Sequence, residues 1–449
     1  MALTGIDIFK QLPKTNCGDC GVPTCLAFAM KIAAGQAELA GCPHLSEDAA
    51  AALSEASAPP IRAVTIGVGE DAVKIGGELV LYRHEKTFYN PCAFAAVIDD
   101  GMDAADVDKL LKQTNESRFV RVEQDLKAGL VGVKSSSGDA AKFAALVEKV
   151  KAATSQPMVL MCGDPAVIEA GLKAAGETAP LIYAATADNY EKMAALAVAN
   201  KAALAVCGTG DLDALVELVK KIMAAGVKDI VLDPGTRNPK DTLERLVYIR
   251  RAALNKKVKE LGFPTIVFPN EETDDKMMEA VFAGLYVGKY GSIIMLSDLD
   301  AARALPLYVL RQNIYTDPQR PMQVKPGIYP IGNPTVDSPV LITSNFSLTY
   351  FIVSGEVEGS RVPTWLCVMD TEGLSVMTSW AAGKFVPEKI APFVKGVGIE
   401  EKVGHRKLVI PGYLAQMSGE LEDELEGWKV EVGPREAADI PPFLKTWAS

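Results

Sequence analysis

The chain has 449 residues, which is too long for one ordinary domain and predicts two to four. Hydrophobic residues make up 49% of it and charged residues 23%, as in a well-packed globular protein, and the net charge of −11 argues against nucleic acid and anionic membranes as partners. The sequence shows neither an apolar leader nor an uninterrupted apolar run of about 18 residues. We therefore expect a cytoplasmic protein.

Half of the eight cysteines lie near the start of the chain, at Cys17, Cys20, Cys25 and Cys42. One short segment thus carries four thiols, separated by two, four and sixteen residues. A [4Fe–4S] cluster needs one thiolate for each iron, so this pattern favours such a cluster. Structural zinc, which usually uses two CxxC knuckles, and four uninvolved reduced thiols are the alternatives. The remaining cysteines are predicted to be buried core residues: Cys92, Cys162, Cys207 and Cys367.

Residues 1 to 57 are predicted to form this iron–sulfur module. Short helices are expected over residues 4–12, 26–40 and 47–53. A linker follows and ends at Pro59 and Pro60, since proline cannot continue a helix. A small module on such a linker can change its position relative to the rest of the chain.

Residues 61 to 325 are predicted to form a (β/α)8 TIM barrel. An introductory part has strand character over residues 63–68 and 78–83. Amphipathic helical patterns then alternate with continuous apolar runs, which suit strands buried on both faces of a parallel sheet. The eight runs are residues 95–98, 130–133, 158–161, 181–183, 204–206, 230–232, 265–268 and 293–296.

Polar residues and glycines gather where these strands end, which is the face that carries the chemistry in barrels. Asp99, Asp164, Asp233 and Asn270 lie there and would suit the binding of a pterin ring. Asp and Gly are also common in strand-to-helix turns, so a purely structural role is an equal alternative.

The last predicted domain covers residues 326 to 449. A proline-studded crossover over residues 311–339 leads into four strand–helix repeats, with strands at 340–343, 365–369, 408–410 and 429–432. Four such repeats predict a doubly wound Rossmann- or flavodoxin-like domain, whose ligands bind beyond the carboxyl ends of the strands. The loops at 343–345, 370–375, 411–413 and 433–435 lie there, and Asn345 and Gly412 are candidate ligand-binding residues within them. An empty structural domain is the alternative.

The cysteine motif, the barrel and the doubly wound tail occur in an order that resembles one family, the large (gamma) subunit of the corrinoid iron–sulfur protein of the acetyl-CoA (Wood–Ljungdahl) pathway. The resemblance covers the whole chain, and the cysteine motif is its most specific part. It implies that Cys17, Cys20, Cys25 and Cys42 ligate the [4Fe–4S] cluster. It implies corrinoid contacts near Thr343, Thr349, Gly373, Leu374, Ser375, Val376 and Gly433.

The same resemblance implies a function and partners. The corrinoid cobalt would accept a methyl group from a methyltetrahydrofolate-dependent methyltransferase and pass it to acetyl-CoA synthase. A smaller (beta) subunit would form a heterodimer with this chain, which would act as a methyl carrier in an anaerobe. No catalytic residue is assigned.

Many corrinoid domains supply a cobalt-ligating histidine from an Asp-x-His-x-x-Gly loop, and this chain has no such sequence. Its three histidines are His44, His84 and His405. We therefore expect the lower cobalt face to lack a protein nitrogen ligand, which makes reduction to Co(I) less unfavourable. The cluster would then return Co(II) to Co(I). A pterin-binding methyltransferase barrel and an electron-transfer subunit with a flavin are the alternative functions.

Overall fold

The computed structural model describes residues 5–33, 37, 41–46, 49, 59–122, 124–318 and 321–447. It divides into two compact units. The first comprises residues 1–81, 89–116 and 128–307, and the second comprises residues 82–88, 117–127 and 308–449. The helix predicted over residues 47–53 and most of the predicted helical residues 34–40 lie outside the described residues.

The first unit begins with two short helices, α1 (Gly5–Gln11) and α2 (Cys25–Ala33). A hairpin follows, in which β1 (Ala63–Ile66) pairs antiparallel with β2 (Val73–Gly76). The strand predicted over residues 78–83 is therefore wrong, and the partner of β1 lies a few residues earlier. Val73 and Ile75 of β2 pack into the same apolar cluster as Val64, whereas Gly77 has a φ of +84° and ends the strand.

Eight parallel strands form the nearly closed barrel that the apolar runs predict, and they are neighbours in chain order. A single parallel bridge, between Leu232 and Thr265, joins the first and last of the eight strands in the sheet order. The strands are β3 (Ala93–Asp99), β6 (Gly129–Lys134), β7 (Met158–Met161), β8 (Leu181–Ala185), β9 (Ala203–Cys207), β10 (Ile230–Asp233), β11 (Ile266–Val267) and β12 (Ile293–Leu296).

One helix follows each barrel strand, and side chains on both faces of the strands are buried. Ala95 and Val97 of β3 point into the barrel interior, where residues of the β1–β2 hairpin join them, whereas Ile98 packs against the helices. The helices are α3 (Ala104–Glu116), α4 (Ala140–Ala153), α5 (Pro165–Ala175), α6 (Tyr190–Asn200), α7 (Leu212–Ala224), α8 (Pro239–Asn255), α9 (Lys276–Gly288) and α10 (Ala301–Tyr315).

The second unit contains a five-stranded sheet. Its strands are β13 (Gly327–Ile331), β14 (Val340–Ser344), β15 (Thr364–Met369), β16 (Lys407–Ile410) and β17 (Lys429–Val432). They lie in the order β13–β15–β14–β16–β17, in which four strands are parallel neighbours and β13 is an antiparallel edge strand. The sequence predicted the four parallel strands, whereas β13 lies inside the predicted proline-studded crossover, with Pro330 on an edge where proline is tolerated.

Helices cover both faces of this sheet, and successive strand residues alternate between two apolar cores. In β14, Val340 and Ile342 belong to one core and Leu341 to the other. The helices are α11 (Ser347–Ser360), α12 (Val376–Ala381), α13 (Pro387–Gly396), α14 (Ser418–Glu424) and α15 (Ile440–Trp447).

The second unit also includes a hairpin drawn from far upstream, in which β4 (Arg118–Arg121) pairs antiparallel with β5 (Gln124–Lys127). Its Phe119 ring packs 5.9 Å from the ring of Tyr308, and the Arg121 guanidinium lies 5.4 Å from the Phe351 ring centroid. Within the described part of the chain, no helix is long and apolar enough to cross a membrane.

Candidate functional site

Three of the four N-terminal cysteines pack in a small apolar cluster that includes residues of α1 and α2. Cys25 is a buried member of this cluster, and Cys20 and Cys42 pack against it as partly buried residues. Cys17 is exposed. Gly18 and Gly21 have φ angles of +81° and +75°, so the turns between the first three cysteines use the left-handed conformation that favours glycine.

Hydrogen bonds fix the backbone around these thiols. The Asn16 Oδ1 atom accepts a 2.8 Å hydrogen bond from the amide of Cys25. The His44 ring nitrogen lies 2.6 Å from Asp19 Oδ2, and the hydrogen bond from His44, followed by that from Cys17, lowers the pKa of the Asp19 carboxyl. The ligand atoms of Cys17, Asp19 and His44 all lie within 4.8 Å of one another.

The donor chemistry of this module fits an iron–sulfur cluster. All four cysteines are free thiols, and three of them contact an apolar environment that would shelter a bound cluster from water. Asp19 and His44 lie on the exposed side, beside Cys17.

The second unit contains a cavity of about 270 Å³ at the carboxyl ends of β14, β16 and β17. Aliphatic side chains make up most of its wall, including Ile352 and Val353 of α11 and Ile440 of α15. Five of the predicted ligand-binding residues line it: Thr343, Thr349, Ser375, Val376 and Gly433. These residues come from chain segments up to 90 positions apart, and the fold brings them to one cavity.

Thr343 gives this cavity an unsatisfied polar atom. Its side chain is 2% exposed, it lines the cavity, and its Oγ1 atom has no hydrogen-bond partner among the residues that the structure describes. Buried hydroxyl groups are nearly always hydrogen-bonded, because leaving one unpaired costs about 1–3 kcal/mol. An occupant with a polar atom at this position would satisfy Thr343.

Glycines allow the loops after β16 and β17 to approach each other closely. The amide of Gly412 donates a 2.9 Å hydrogen bond to the Pro434 carbonyl, and a Cβ atom on Gly412 would lie 2.4 Å from the Gly433 carbonyl oxygen. A Cβ atom on Gly433 would lie 2.9 Å from a methyl group of Val409. Gly412 therefore shapes the cavity although it does not line it.

Three other predicted residues do not line the cavity either: Asn345, Gly373 and Leu374. Asn345 is 1% exposed and bonds to the loop after β15. Gly373 has a φ of +74°, and a Cβ atom there would lie 3.0 Å from the Pro321 carbonyl oxygen. The carbonyl of Leu374 accepts a 2.8 Å hydrogen bond from the Thr371 hydroxyl.

The structure adds cavity residues that sequence reasoning missed. The Tyr413 hydroxyl donates a 2.5 Å hydrogen bond to Glu436 Oε1, and the Arg435 guanidinium lies 5.9 Å from the Tyr413 ring centroid. All three side chains line the cavity. Tyr413 and Arg435 belong to two of the loops that the sequence predicts to bind the ligand. The prediction for these loops named only Gly412 and Gly433 and not the neighbouring aromatic and charged side chains.

The barrel carries a separate polar cluster where its strands end. The carboxylate of Asp233, only 1% exposed, accepts hydrogen bonds from Tyr183 at 2.6 Å and from Arg237 at 2.8 Å. Arg237 also donates to Glu271 at 2.6 Å and stacks 4.3 Å from the Phe268 ring centroid. Asp233 is therefore already fully engaged by protein groups.

The other polar strand-end residues have different surroundings. Asp164 caps α5 by accepting a 2.8 Å hydrogen bond from the amide of Ala166. Asp99 accepts a 2.8 Å hydrogen bond from the amide of Gly101, as in an ordinary turn. The Oδ1 atom of Asn270 is buried and has no partner among the described residues.

Fold and site together define an iron–sulfur protein built on a parallel β/α barrel, with an α/β sheet and a ligand-sized cavity in its second unit. A family model described as "CO dehydrogenase/acetyl-CoA synthase delta subunit" matches residues 63–444, and one described as "Putative Fe-S cluster" matches residues 12–44. The chain is 44% identical to the corrinoid/iron–sulfur protein large subunit of Moorella thermoacetica, over 99% of both chains. It belongs to the family of corrinoid/iron–sulfur protein large subunits.

Archaeal relatives carry a second name. The chain is 36% identical to the acetyl-CoA decarbonylase/synthase complex subunit gamma of Methanothermobacter thermautotrophicus, over 100% of both chains. It is 38% identical to the subunit of the same name from Methanosarcina acetivorans, over 98% of both. A dihydropteroate synthase structure from Thermus thermophilus matches 56% of this chain and 100% of its own, with 16% identity and a TM-score of 0.39, a likeness too low to support conclusions about function.

Proposed function

We propose that this chain is a methyl-group carrier that holds a corrinoid in the cavity of its second unit. When bound, the corrinoid supplies a cobalt centre that accepts a methyl group in its reduced state and releases it to a second acceptor. Membership of the corrinoid/iron–sulfur family supports this proposal. The observation that carries it is the Thr343 hydroxyl, which has no partner in the described part of the chain and lies inside an otherwise largely apolar cavity at the carboxyl ends of parallel strands.

The strand order of the second unit supports the proposal of a flavodoxin-like domain, because its second parallel strand, β15, lies outside the first, β14. In our proposal the aliphatic wall of the cavity excludes water from the ligand, and Thr343 hydrogen-bonds to a buried polar atom of it. Among the described residues, no histidine lines the cavity. The protein would therefore hold the corrinoid by its periphery and not through an imidazole bonded to cobalt.

The histidines of the chain are engaged elsewhere. His44 pairs with Asp19, and His84 stacks on Tyr82 with ring centroids 5.6 Å apart. The Nε2 atom of His405 lies 2.9 Å from the Ser338 carbonyl oxygen. None of these three side chains lines the cavity, so our proposal assigns no histidine of this chain to the corrinoid.

Cys17, Cys20, Cys25 and Cys42 would ligate a [4Fe–4S] cluster that returns an electron to cobalt when the carrier has been oxidised. The apolar packing of Cys20, Cys25 and Cys42 and the exposure of Cys17 support a cluster with one accessible edge. Electron transfer through such an edge does not require a catalytic residue, and we assign none. The free cysteines suit a reducing compartment such as the cytoplasm.

Exposed apolar side chains at the rim of the cavity support the proposal that a partner subunit covers it. Ile352, Met377 and Tyr413 line the cavity and are 47%, 42% and 48% exposed, and Leu348, one helical turn before Ile352, is 58% exposed. A corrinoid placed here would have one face uncovered by this chain. We propose that the small (beta) corrinoid/iron–sulfur subunit covers it, and that a methyltetrahydrofolate-dependent methyltransferase and acetyl-CoA synthase/CO dehydrogenase deliver and remove the methyl group.

A Thr343→Val substitution tests the corrinoid assignment. Replacing an unpaired buried hydroxyl with a methyl group should raise the free energy of unfolding of the corrinoid-free chain by about 1 kcal/mol. The same substitution should weaken binding of hydroxocobalamin about ten-fold, because one buried hydrogen bond is lost. Thr364→Val is the matched control, since the Thr364 hydroxyl donates a 2.9 Å hydrogen bond to the Val362 carbonyl at the other end of the sheet.

The control should lower stability and leave the affinity for hydroxocobalamin unchanged. Wild-type affinity in Thr343→Val would contradict the assignment of the cavity. A flavin released from the purified protein, with iron but no cobalt, would favour the electron-transfer subunit instead.

A further inference from the structure

We infer that Asn345 is a positioning residue of the cavity, which fixes the loop after β15 without touching the ligand. This inference rests on the proposed function, because the ligand in question is the corrinoid. Asn345 follows β14 directly, and it is 1% exposed. It lies at the junction of three chain segments: the end of β14, the loop of residues 370–375, and residues 321–324.

The carboxamide oxygen of Asn345 holds the loop. Its Oδ1 atom accepts hydrogen bonds from the Thr371 amide at 2.9 Å and the Gly373 amide at 3.0 Å. The Thr371 hydroxyl also lies 2.9 Å from this oxygen and shares its one proton between it and the Leu374 carbonyl. Glu372 and Gly373 have φ angles of +56° and +74°, so the loop makes two successive left-handed steps around this oxygen. A non-glycine residue in that conformation persists only where surrounding contacts hold it.

The carboxamide nitrogen of Asn345 ties the loop to a third segment. Its Nδ2 atom donates to Asp370 Oδ1 at 3.1 Å and to Gln323 Oε1 at 3.3 Å. The Asn345 carbonyl accepts a 2.9 Å hydrogen bond from the Val324 amide. A carboxamide has two donor hydrogens and one acceptor oxygen, so these protein partners use the whole capacity of the side chain.

Asn345 therefore has no hydrogen bond to spare for a ligand, and it does not line the cavity. Its effect is indirect. The loop that it fixes ends at Ser375, and Ser375, Val376 and Met377 form part of the cavity wall. Movement of the loop would displace that wall, and small misplacements of binding groups weaken binding disproportionately.

The test compares full-length Asn345→Ala with Ser360→Ala. Ser360 is a matched control because it is 4% exposed and makes two local hydrogen bonds, to the Val357 carbonyl at 2.6 Å and from the Val362 amide at 3.0 Å, away from the cavity. Three quantities are measured: hydrogen–deuterium exchange of residues 370–377 without ligand, the affinity for hydroxocobalamin, and the free energy of unfolding.

We expect Asn345→Ala to increase exchange of residues 370–377 and to weaken hydroxocobalamin binding about ten-fold. Ser360→Ala should change neither the loop exchange nor the affinity, although its free energy of unfolding should fall by an amount similar to that in Asn345→Ala. Wild-type affinity or wild-type loop exchange in Asn345→Ala would overturn the inference. If Asn345→Ala does not fold, Thr371→Val, which removes the hydroxyl that contacts Asn345 Oδ1 at 2.9 Å and the Leu374 carbonyl at 2.8 Å, should show the same two changes at smaller size.

The two proposals fail in different ways. One outcome is that the wild-type chain does not bind hydroxocobalamin while Asn345→Ala increases exchange of the loop. The proposed function is then refuted, and the exchange data alone support the positioning role of Asn345. If the wild type binds and Asn345→Ala binds equally well, the proposed function stands and the role of Asn345 is refuted.

Discussion

The hydroxyl of Tyr183 donates a 2.6 Å hydrogen bond to Asp233 Oδ2, which joins the carboxyl ends of β8 and β10 across the mouth of the barrel. Burial raises the pKa of Tyr183, and the charge of Asp233 raises it further. Burial and the charge of Asp233 also raise the pKa of the neighbouring Cys207 thiol, to about 12. Arg237 neutralises the Asp233 carboxylate, so this cluster is satisfied without a ligand.

Removing the arginine of this cluster should destabilise the barrel. In Arg237→Met the Asp233 carboxylate stays buried without its ion-pair partner, and we expect a loss of about 3–5 kcal/mol in urea unfolding. Lys220→Met is the control, since its 2.7 Å pair with Glu217 is exposed and its loss should change the stability much less. Equal losses in the two variants would contradict the structural role of Arg237.

The same cluster bears on the pterin-binding alternative. The Asp233 carboxylate already pairs with Arg237, and the Asp164 carboxylate already caps α5. Because neither is available for a pterin, we expect calorimetric titration of the full chain with methyltetrahydrofolate to show no binding. Binding that disappears in Asp233→Asn would restore the methyltransferase hypothesis for the barrel.

The close approach of Gly412 and Gly433 can be tested by stability. Alanine at Gly412 should lower the free energy of unfolding, whereas alanine at Gly419 should raise it. In Gly412→Ala the new Cβ atom would lie 2.4 Å from the Gly433 carbonyl oxygen, and we expect a loss of about 1–3 kcal/mol. Gly419→Ala, in α14, should instead gain about 0.5–1 kcal/mol, because no described atom lies within 4 Å of its Cβ atom. Urea unfolding measures both. A neutral Gly412→Ala would show that the two loops are not in close contact.

Iron content tests the four N-terminal cysteines one at a time. Anaerobically purified wild type should contain about four irons per chain, and single serine substitutions at Cys17, Cys20, Cys25 or Cys42 should lower that number. Cys162→Ser, in the barrel, should retain it. Zinc bound in place of iron would contradict the cluster assignment.

Stability in acid should depend on Asp100. Although burial raises its pKa, hydrogen bonds from the hydroxyls of Ser135 and Ser137, both at 2.7 Å, and from the Ser136 and Ser137 amides hold the pKa of the Asp100 carboxyl below its usual range. A lowered folded-state pKa means that this stabilisation is present above the unfolded pKa, about 3.9, and is lost as the pH falls through the folded value.

We therefore expect Asp100→Asn to lower stability at pH 7 and to reduce the loss of stability as the pH falls below about 4. Unfolding by urea at a series of pH values measures this. An Asp100→Asn profile that runs parallel to that of the wild type would rule out the contribution.

The sequence by itself determined the features that depend on local pattern. Continuous apolar runs predicted all eight barrel strands, because a strand buried on both faces needs apolar side chains at every position. The four parallel strands of the second unit follow the same rule. The cysteine spacing predicted an iron–sulfur module because cluster ligation depends on residue type and separation along the chain.

The tertiary structure decided what depends on contacts between distant segments. It places the β4–β5 hairpin, residues 117–127, in the second unit, although the chain on both sides of it belongs to the first. It shows that the Thr343 hydroxyl has no partner among the described residues, whereas the side chain of Asn345, two residues later, has all its hydrogen bonds satisfied by the protein. Local sequence treats both as polar residues at the end of a strand, and only their three-dimensional neighbours distinguish a candidate ligand contact from a positioning residue.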